Sequence, residues 1–541
     1  MKRRAFLTNS SLAAAGLTTT LFAVAACSDK KTETATTTKT DSAEDNFELN
    51  EITVAELQDK MVKGDYSSEQ ITKLYLDRIE AIDKNGPKLN AVIEINPDAL
   101  AIAKTMDKER KEGKTRGALH GIPILIKDNI DTADKMMTTA GALAMLGHQA
   151  EKDAFIVKRL RDAGTVLLGK TNLSEWANFR STNSCSGWSS RGGQTKNPYI
   201  LDHSPCGSSS GSGSAVAANL CAIAIGTETD GSITCPASVS GVVGIKPTVG
   251  LVSRSGIIPI SHTQDTAGPL TRTVTDAAIL LEILAGIDES DAITKESAGK
   301  VTKYTKYLDI NGLKGKRIGV EKKKYTNQFL NHLQEKAVNV LKQQGAVIVE
   351  IEYLDRVNAL GADELVVLKY EFKYGVNKYL SNTNAKVKTV AEVIAYNKQN
   401  EDKTMPTFKQ EILEMCETKN GLDTAEYTAA LAKSHNGTKQ ILDTVMQKNN
   451  LDAITGLTMG PSCSIDTIYG DRWGDVFLTA PAAMSGYPHI SVPCGKVYEL
   501  PVGLSFFSGA YREGEIIALA YAYEQATKHR IQPAFTRSFI M

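Results

Sequence analysis

From Thr53 onward the apolar and polar positions switch repeatedly between a helical and an extended pattern. Thr53 with Glu56, and Ser67 with Gln70, are capping-box pairs, so each predicts the start of a helix. Ile71, Leu74, Ile79 and Ile82 then share one helical face. A helix carrying Ile156, Val157 and Leu160 is expected to stop at Gly164, and another over about 276–285 at Gly286. Between the helices lie runs that are apolar on consecutive positions, at 122–126, 165–168, 221–225, 318–320 and 346–351. That is the pattern of strands covered on both faces. Together the two patterns predict an α/β fold around a central sheet. Between about residues 301 and 451 the chain turns Lys-rich and helical, with amphipathic stretches such as Leu333, Ala337, Val340 and Leu341. This segment reads as a helical elaboration of the same domain, and no period of solenoid length is present.

The N-terminus follows a different pattern. Lys2, Arg3 and Arg4 precede an apolar run over 12–26, too short to cross a hydrocarbon layer of roughly 30 Å, so residues 1–26 read as an export signal. Its end, Val24-Ala25-Ala26-Cys27, resembles the bacterial lipobox, which implies a lipid on Cys27 after cleavage; an ordinary cleaved signal is the alternative. Arg3-Arg4-Ala5-Phe6-Leu7 also resembles a twin-arginine export signal. Residues 28–47 are rich in Thr, Lys, Asp and Glu and hold few large apolar side chains, so 27–48 is expected to be a flexible tether, and 49–541 a single domain. The expected location is a bacterial periplasm or cell surface, with the lipid anchor as the only membrane contact.

The 541 residues include 62 basic and 62 acidic side chains, and zero net charge argues against a protein that coats nucleic acid. The cysteines, Cys27, Cys185, Cys206, Cys221, Cys235, Cys416, Cys463 and Cys494, form no CxxC pair. No zinc or thioredoxin spacing exists, and they are expected to be mostly buried small apolar residues.

Three motifs compete for the chemistry. Gly164-Thr-Val-Leu-Leu-Gly-Lys170-Thr171 matches a phosphate-binding loop, yet its middle is strand-like and a helix precedes it, which is the wrong order for cradling phosphates. Gly207-Ser208-Ser209-Ser210-Gly211 matches a nucleophile elbow centred on Ser209, but the two prolines of 197–206 make a poor preceding strand, and neither His262 nor His489 sits in a partner motif. The third reading joins Lys127, which follows the apolar run 122–126, to Ser208 and Ser232. Desolvation lowers a lysine's pKa, a neutral lysine accepts a proton, and two serines with such a lysine can form a proton relay.

Four segments carry a resemblance across about 52–288, which resumes over 457–533. They are Gly121-Ile-Pro-Ile-Leu-Ile-Lys-Asp-Asn129, Pro205-Cys-Gly-Ser-Ser-Ser-Gly-Ser212, Gly226-Thr-Glu-Thr-Asp-Gly-Ser-Ile233 and Gly244-Ile-Lys-Pro-Thr-Val-Gly250. The set resembles the amidase signature family of Ser-Ser-Lys hydrolases. The resemblance implies a central mixed β-sheet covered by helices on both faces, with Ser232 as nucleophile, Lys127 as base and Ser208 as the relay between them. It also implies a cis peptide before Ser208, an oxyanion hole of backbone N–H groups from Thr229, Asp230 and Gly231, and no metal or cofactor. Glu228 and Asp230 depart from the commoner Asp-x-Gly-Gly-Ser form. With Cys235-Pro236-Ala237 and the segment Gly169-Lys-Thr-Asn-Leu-Ser-Glu-Trp-Ala-Asn178, the variant resembles bacterial peptide amidases, implying an amidated peptide or other small amide as substrate. The amidase component of a tRNA amidotransferase is an alternative that export argues against. A non-catalytic surface binding lipoprotein is another, disfavoured by the intact Lys127, Ser208 and Ser232.

Overall fold

The computed structural model describes residues 46–539; the signal, Cys27 and most of the tether expected from the sequence lie outside them. Both capping boxes form. Thr53 Oγ1 accepts the Glu56 N–H while Glu56 Oε2 accepts the Thr53 N–H, opening the helix Val54–Lys63, and Ser67 with Gln70 does the same for Ser68–Arg78.

Eleven strands make the main sheet: β1 Val92–Ile95, β2 Pro123–Lys127, β3 Val166–Thr171, β4 Ile223–Glu228, β5 Val243–Lys246, β6 Thr266–Thr271, β7 Arg317–Glu321, β8 Val347–Ile351, β9 Ala453–Leu457, β10 His489–Val497 and β11 Leu500–Phe507. Across the sheet they run β1-β3-β2-β4-β6-β5-β10-β11-β9-β7-β8. The pairs β3·β2, β2·β4, β9·β7 and β7·β8 are parallel and the others antiparallel, so the sheet is mixed. Every residue of β2, β3, β4, β5 and β6 is buried, so both faces of this half are covered, as the consecutive apolar positions predict for β2, β3 and β4.

β8 departs from that expectation. It is one of the two rim strands, Val347 is exposed, and only Ile351 is buried, because a terminal strand has a neighbour on one side only. Within 301–451, β7 and β8 belong to the central sheet, and the helices that follow β8 run from Leu354 to Asn449. The longest, Gly361–Ser381, contributes Leu368, Phe372, Val376 and Leu380 to a second apolar cluster with Trp176 and Phe179. Arg180 fastens that cluster. It forms a buried ion pair with Glu175 at 3.3 Å and donates to the carbonyls of Thr404 and Phe408, while the Ile412 N–H donates to its own carbonyl.

The phosphate-loop match resolves as structure. Residues 166–171 are the buried strand β3, and Lys170 Nζ donates to the Ile130 carbonyl and to Thr138 Oγ1 at 2.6 and 2.9 Å.

Candidate active site

The parallel neighbours β2 and β4 end side by side, with Ile126 opposite Ile225, and the loops that leave their carboxyl ends make a crevice there. Lys127 is the last residue of β2 and is fully buried. Its Nζ lies 2.8 Å from Ser208 Oγ, 2.8 Å from Thr227 Oγ1 and 3.2 Å from the Thr227 carbonyl oxygen, all within hydrogen-bond reach. Burial pulls the Lys127 amine down to about 7, against the opposing pull of the Asp265 and Glu228 carboxylates.

Ser208 sits in the segment that leads into the helix Ser210–Ala217, and the peptide Gly207–Ser208 is cis. Position 207 has no room for a side chain, because a Cβ there would run into Ser174 Oγ. Ser232 follows β4 through residues 229–231. The tight turn needs Gly231, whose φ is +76°, a region that side chains with a Cβ avoid. Glu228 closes the turn by accepting the N–H groups of Ile233 and Thr234 at 2.7 and 2.8 Å, at the start of the helix Thr234–Val239. The Ser209 N–H donates to the Ser232 carbonyl at 3.1 Å, which brings the two serine loops into register. Ser208 is wholly buried, whereas Ser232 keeps 7% of its surface exposed, so the second serine is the one open to an entering molecule. The N–H groups of Asp230 and Gly231 donate to no protein acceptor among the described residues.

The elbow reading fails on the same geometry. Ser209 Oγ donates to the Thr227 carbonyl and accepts the Thr227 N–H, so it is committed to the backbone. His489 is fully buried against Ser505 and burial depresses it to about 3, while His262 stands beside Glu371.

The cysteines need a correction. Cys206 and Cys235 form a disulfide, linking the start of the Ser208 segment to the helix after Ser232. No Cys-x-x-Cys spacing announces it, because the two lie 29 residues apart and meet only when both loops reach the strand ends. Cys185, Cys221, Cys416 and Cys494 are free and buried, as expected.

Among the other participants, Asn129 and Asp230 lie in the motif segments without their partners being announced there, and Asp265 and Glu364 lie outside those segments. Asn129 Nδ2 donates to Thr227 Oγ1 at 3.0 Å, and Asp265 accepts from Thr229 Oγ1. Desolvation lifts Asp265 to about 6. Asp230 accepts from Thr479 Oγ1 and belongs to a carboxyl pair with Glu364. Burial raises both, the Glu228 charge adding to the rise at Asp230 and the Asp230 charge to that at Glu364. A cavity of about 650 Å³ lies beside these groups; Asn129, Thr227, Thr229 and Asp265 line it together with Tyr374 and Tyr379 of the helix Gly361–Ser381, whereas Lys127, Ser208 and Ser232 are not among its lining residues.

The family model described as Amidase matches residues 70–517. The X-ray structure of native peptide amidase from Stenotrophomonas maltophilia is 48% identical with a TM-score of 0.87, covering 90% of this chain and 99% of that one. The crystal structure of an amidase family protein from Bacillus anthracis is 38% identical with a TM-score of 0.81, covering 90% and 93%. A probable amidase of Arabidopsis thaliana is 41% identical over 502 residues, 90% of this chain and 92% of the relative.

Proposed function

The chain belongs to the amidase family and is an amide hydrolase; from that premise we propose that it works through a Ser232 acyl-enzyme and takes the amide from peptide C-termini. The observation that carries the catalytic assignment is the donor count at Lys127. A neutral amine has two hydrogens and one lone pair. Three oxygens surround Nζ, the hydroxyl of Ser208 and the hydroxyl and carbonyl of Thr227, and they accept the three hydrogens of the ammonium form. Once one proton is lost, two hydrogens remain for the Thr227 oxygens and the lone pair is left for Ser208 Oγ, whose proton it can then take.

In this mechanism Lys127 takes the Ser208 proton as Ser208 takes the Ser232 proton, and Ser232 Oγ bonds to the amide carbon. The resulting oxyanion is received by the free N–H groups of the 229–231 loop, and such donors are each worth about 3–4 kcal/mol where one has been removed. The relay then returns its proton to the departing nitrogen, ammonia leaves, and water cleaves the ester by the same route. The cavity of about 650 Å³ beside Thr227 and Thr229 has room for more than an acetamide-sized molecule and falls in the volume range of small-molecule ligand sites, which supports a larger amide. Likeness to a peptide amidase supports the same substrate class. Export and a lipid on Cys27 complete the proposal, on the strength of residues 1–27.

The test is mass spectrometry of amidated peptides and acetamide with wild-type protein and Ser232→Ala, alongside fluorophosphonate labelling. The expected result is an acid product from the peptides, a label on Ser232, and neither in the variant. Equal efficiency on acetamide would overturn the substrate class, and a label elsewhere the nucleophile.

A further inference from the structure

Thr229 is the residue on which the turn before Ser232 hangs, and it is held at two atoms by neighbours from another segment. Its carbonyl accepts from Gln264 Nε2 at 3.3 Å. Its hydroxyl donates to Asp265 Oδ1, while Asp265 Oδ2 accepts the N–H groups of Ile260 and Ser261, both at 2.9 Å. Gln264 is buried and Asp265 half-buried, and the segment that carries both is braced from behind by one helix. Gln264 Nε2 also donates to Glu364 at 2.8 Å, and Glu371 accepts from Ser261 Oγ and from the N–H and hydroxyl of Thr263. Two acceptors on one side of Gln264 place its NH₂ there, so the orientation of the amide is set by its partners.

A peptide group is planar, so the carbonyl of Thr229 and the N–H of Asp230 point in opposite directions within one plane. Holding the carbonyl therefore aims the N–H. We propose that Gln264 and Asp265 are a positioning pair that fixes the Thr229–Asp230 peptide and so directs the Asp230 N–H at the oxyanion. The inference rests on the Ser232 acyl-enzyme reading above and adds to it a source of alignment outside the four motif segments. It also gives the helix Gly361–Ser381 a part in catalysis, through Glu364 and Glu371, that its distance in sequence conceals.

Gln264→Leu, which keeps the volume and loses the donor, tests it. Removing an oxyanion donor outright costs about 100- to 1,000-fold in kcat, so misaiming one is expected to cost about 10- to 100-fold. An aldehyde analogue of the amidated peptide, which forms a tetrahedral adduct on Ser232, should lose affinity by a similar factor. KM and inhibition by the free-acid peptide should change less than about twofold, since neither carries a developing oxyanion. Wild-type kcat in Gln264→Leu would overturn the proposal, and so would equal loss of aldehyde and free-acid binding, which marks a general structural defect. If that variant does not fold, Thr229→Val removes only the hydroxyl link to Asp265. It should lower kcat with KM kept, and wild-type kcat there overturns the pair. Lys127→Ala and Ser232→Ala separate the two levels: full activity in either sinks the acyl-enzyme reading, whereas inactive controls beside a wild-type-like Gln264→Leu sink this inference alone.

Discussion

Cys206 and Cys235 are joined beside the site, one residue pair bracketing both Ser208 and Ser232. A cross-link that closes a loop of this length restricts the unfolded chain and typically adds about 2–4 kcal/mol. Cys206→Ser with Cys235→Ser should lower the urea midpoint accordingly and reduce turnover, because the loops carrying the two serines lose a shared anchor. Dithiothreitol should reproduce both effects in the wild type and neither in the double variant. Identical denaturation curves with and without reductant would show that the bond adds nothing.

A second expectation concerns the buried ion pair of Glu175 and Arg180, which are 3% and 1% exposed. Truncating one member of such a pair strands the other charge away from water, at a cost of about 3–5 kcal/mol. Arg180→Met should therefore destabilise by that order and loosen the helices beyond Leu354, whose Thr404 and Phe408 carbonyls it also serves. Glu175→Gln with Arg180→Met should recover part of the loss. Denaturant titration of the single and double variants checks both statements, and an unaltered midpoint for Arg180→Met would refute them.

The parts legible in the sequence were those with local physics. Capping boxes state their own hydrogen bonds, and strands with unbroken apolar runs announce themselves, so 53–56, 67–70 and five of the eleven sheet strands could be read directly. Lys127, Ser208 and Ser232 stood out because each lies in a dense motif, and the fold brings Lys127 to Ser208. What stayed hidden depends on chain segments meeting. Thr227 reads in sequence as part of a strand-to-serine connection and turns out to supply two of the three oxygens around the lysine amine. Asp265 and Gln264 sit in an ordinary polar stretch, and Glu364 and Glu371 look like solvent-facing charges of a Lys-rich helix. Their burial follows from how that helix packs, which no short spacing encodes.

The proposed lipid site, Cys27, lies outside the described residues and is tested on its own. Wild-type protein expressed in a bacterial host should incorporate labelled fatty acid and fractionate with membranes, and Cys27→Ser should do neither while keeping its amidase activity. Fatty-acid label retained in Cys27→Ser would refute the assignment, because the lipid would then be carried by another residue.

The last expectation joins activity to stability through Lys127. Its amine falls from an ordinary value of 10.5 to about 7 on folding, chiefly because burial penalises the ammonium form while Asp265 and Glu228 favour it. Below pH 7 the folded lysine is protonated and has no lone pair for Ser208, so kcat/KM should rise with pH and level off above that value. The sign for stability follows from proton counting. Between pH 7 and 10.5 the unfolded chain holds a proton on this lysine that the folded chain does not, so this group makes stability increase with pH across that window. Below pH 7 both forms hold the proton, and the full cost of a buried ammonium is present. Lys127→Met, of similar length and without charge, should thus be inactive yet more stable than the wild type by a few kcal/mol at about pH 6, and the advantage should shrink as pH rises toward about 10. Parallel denaturation series at several pH values, with the pH–rate profile, measure both. If Lys127→Met kept wild-type turnover and the same acidic limb, the lysine would be a structural residue and the proton relay would have to start elsewhere.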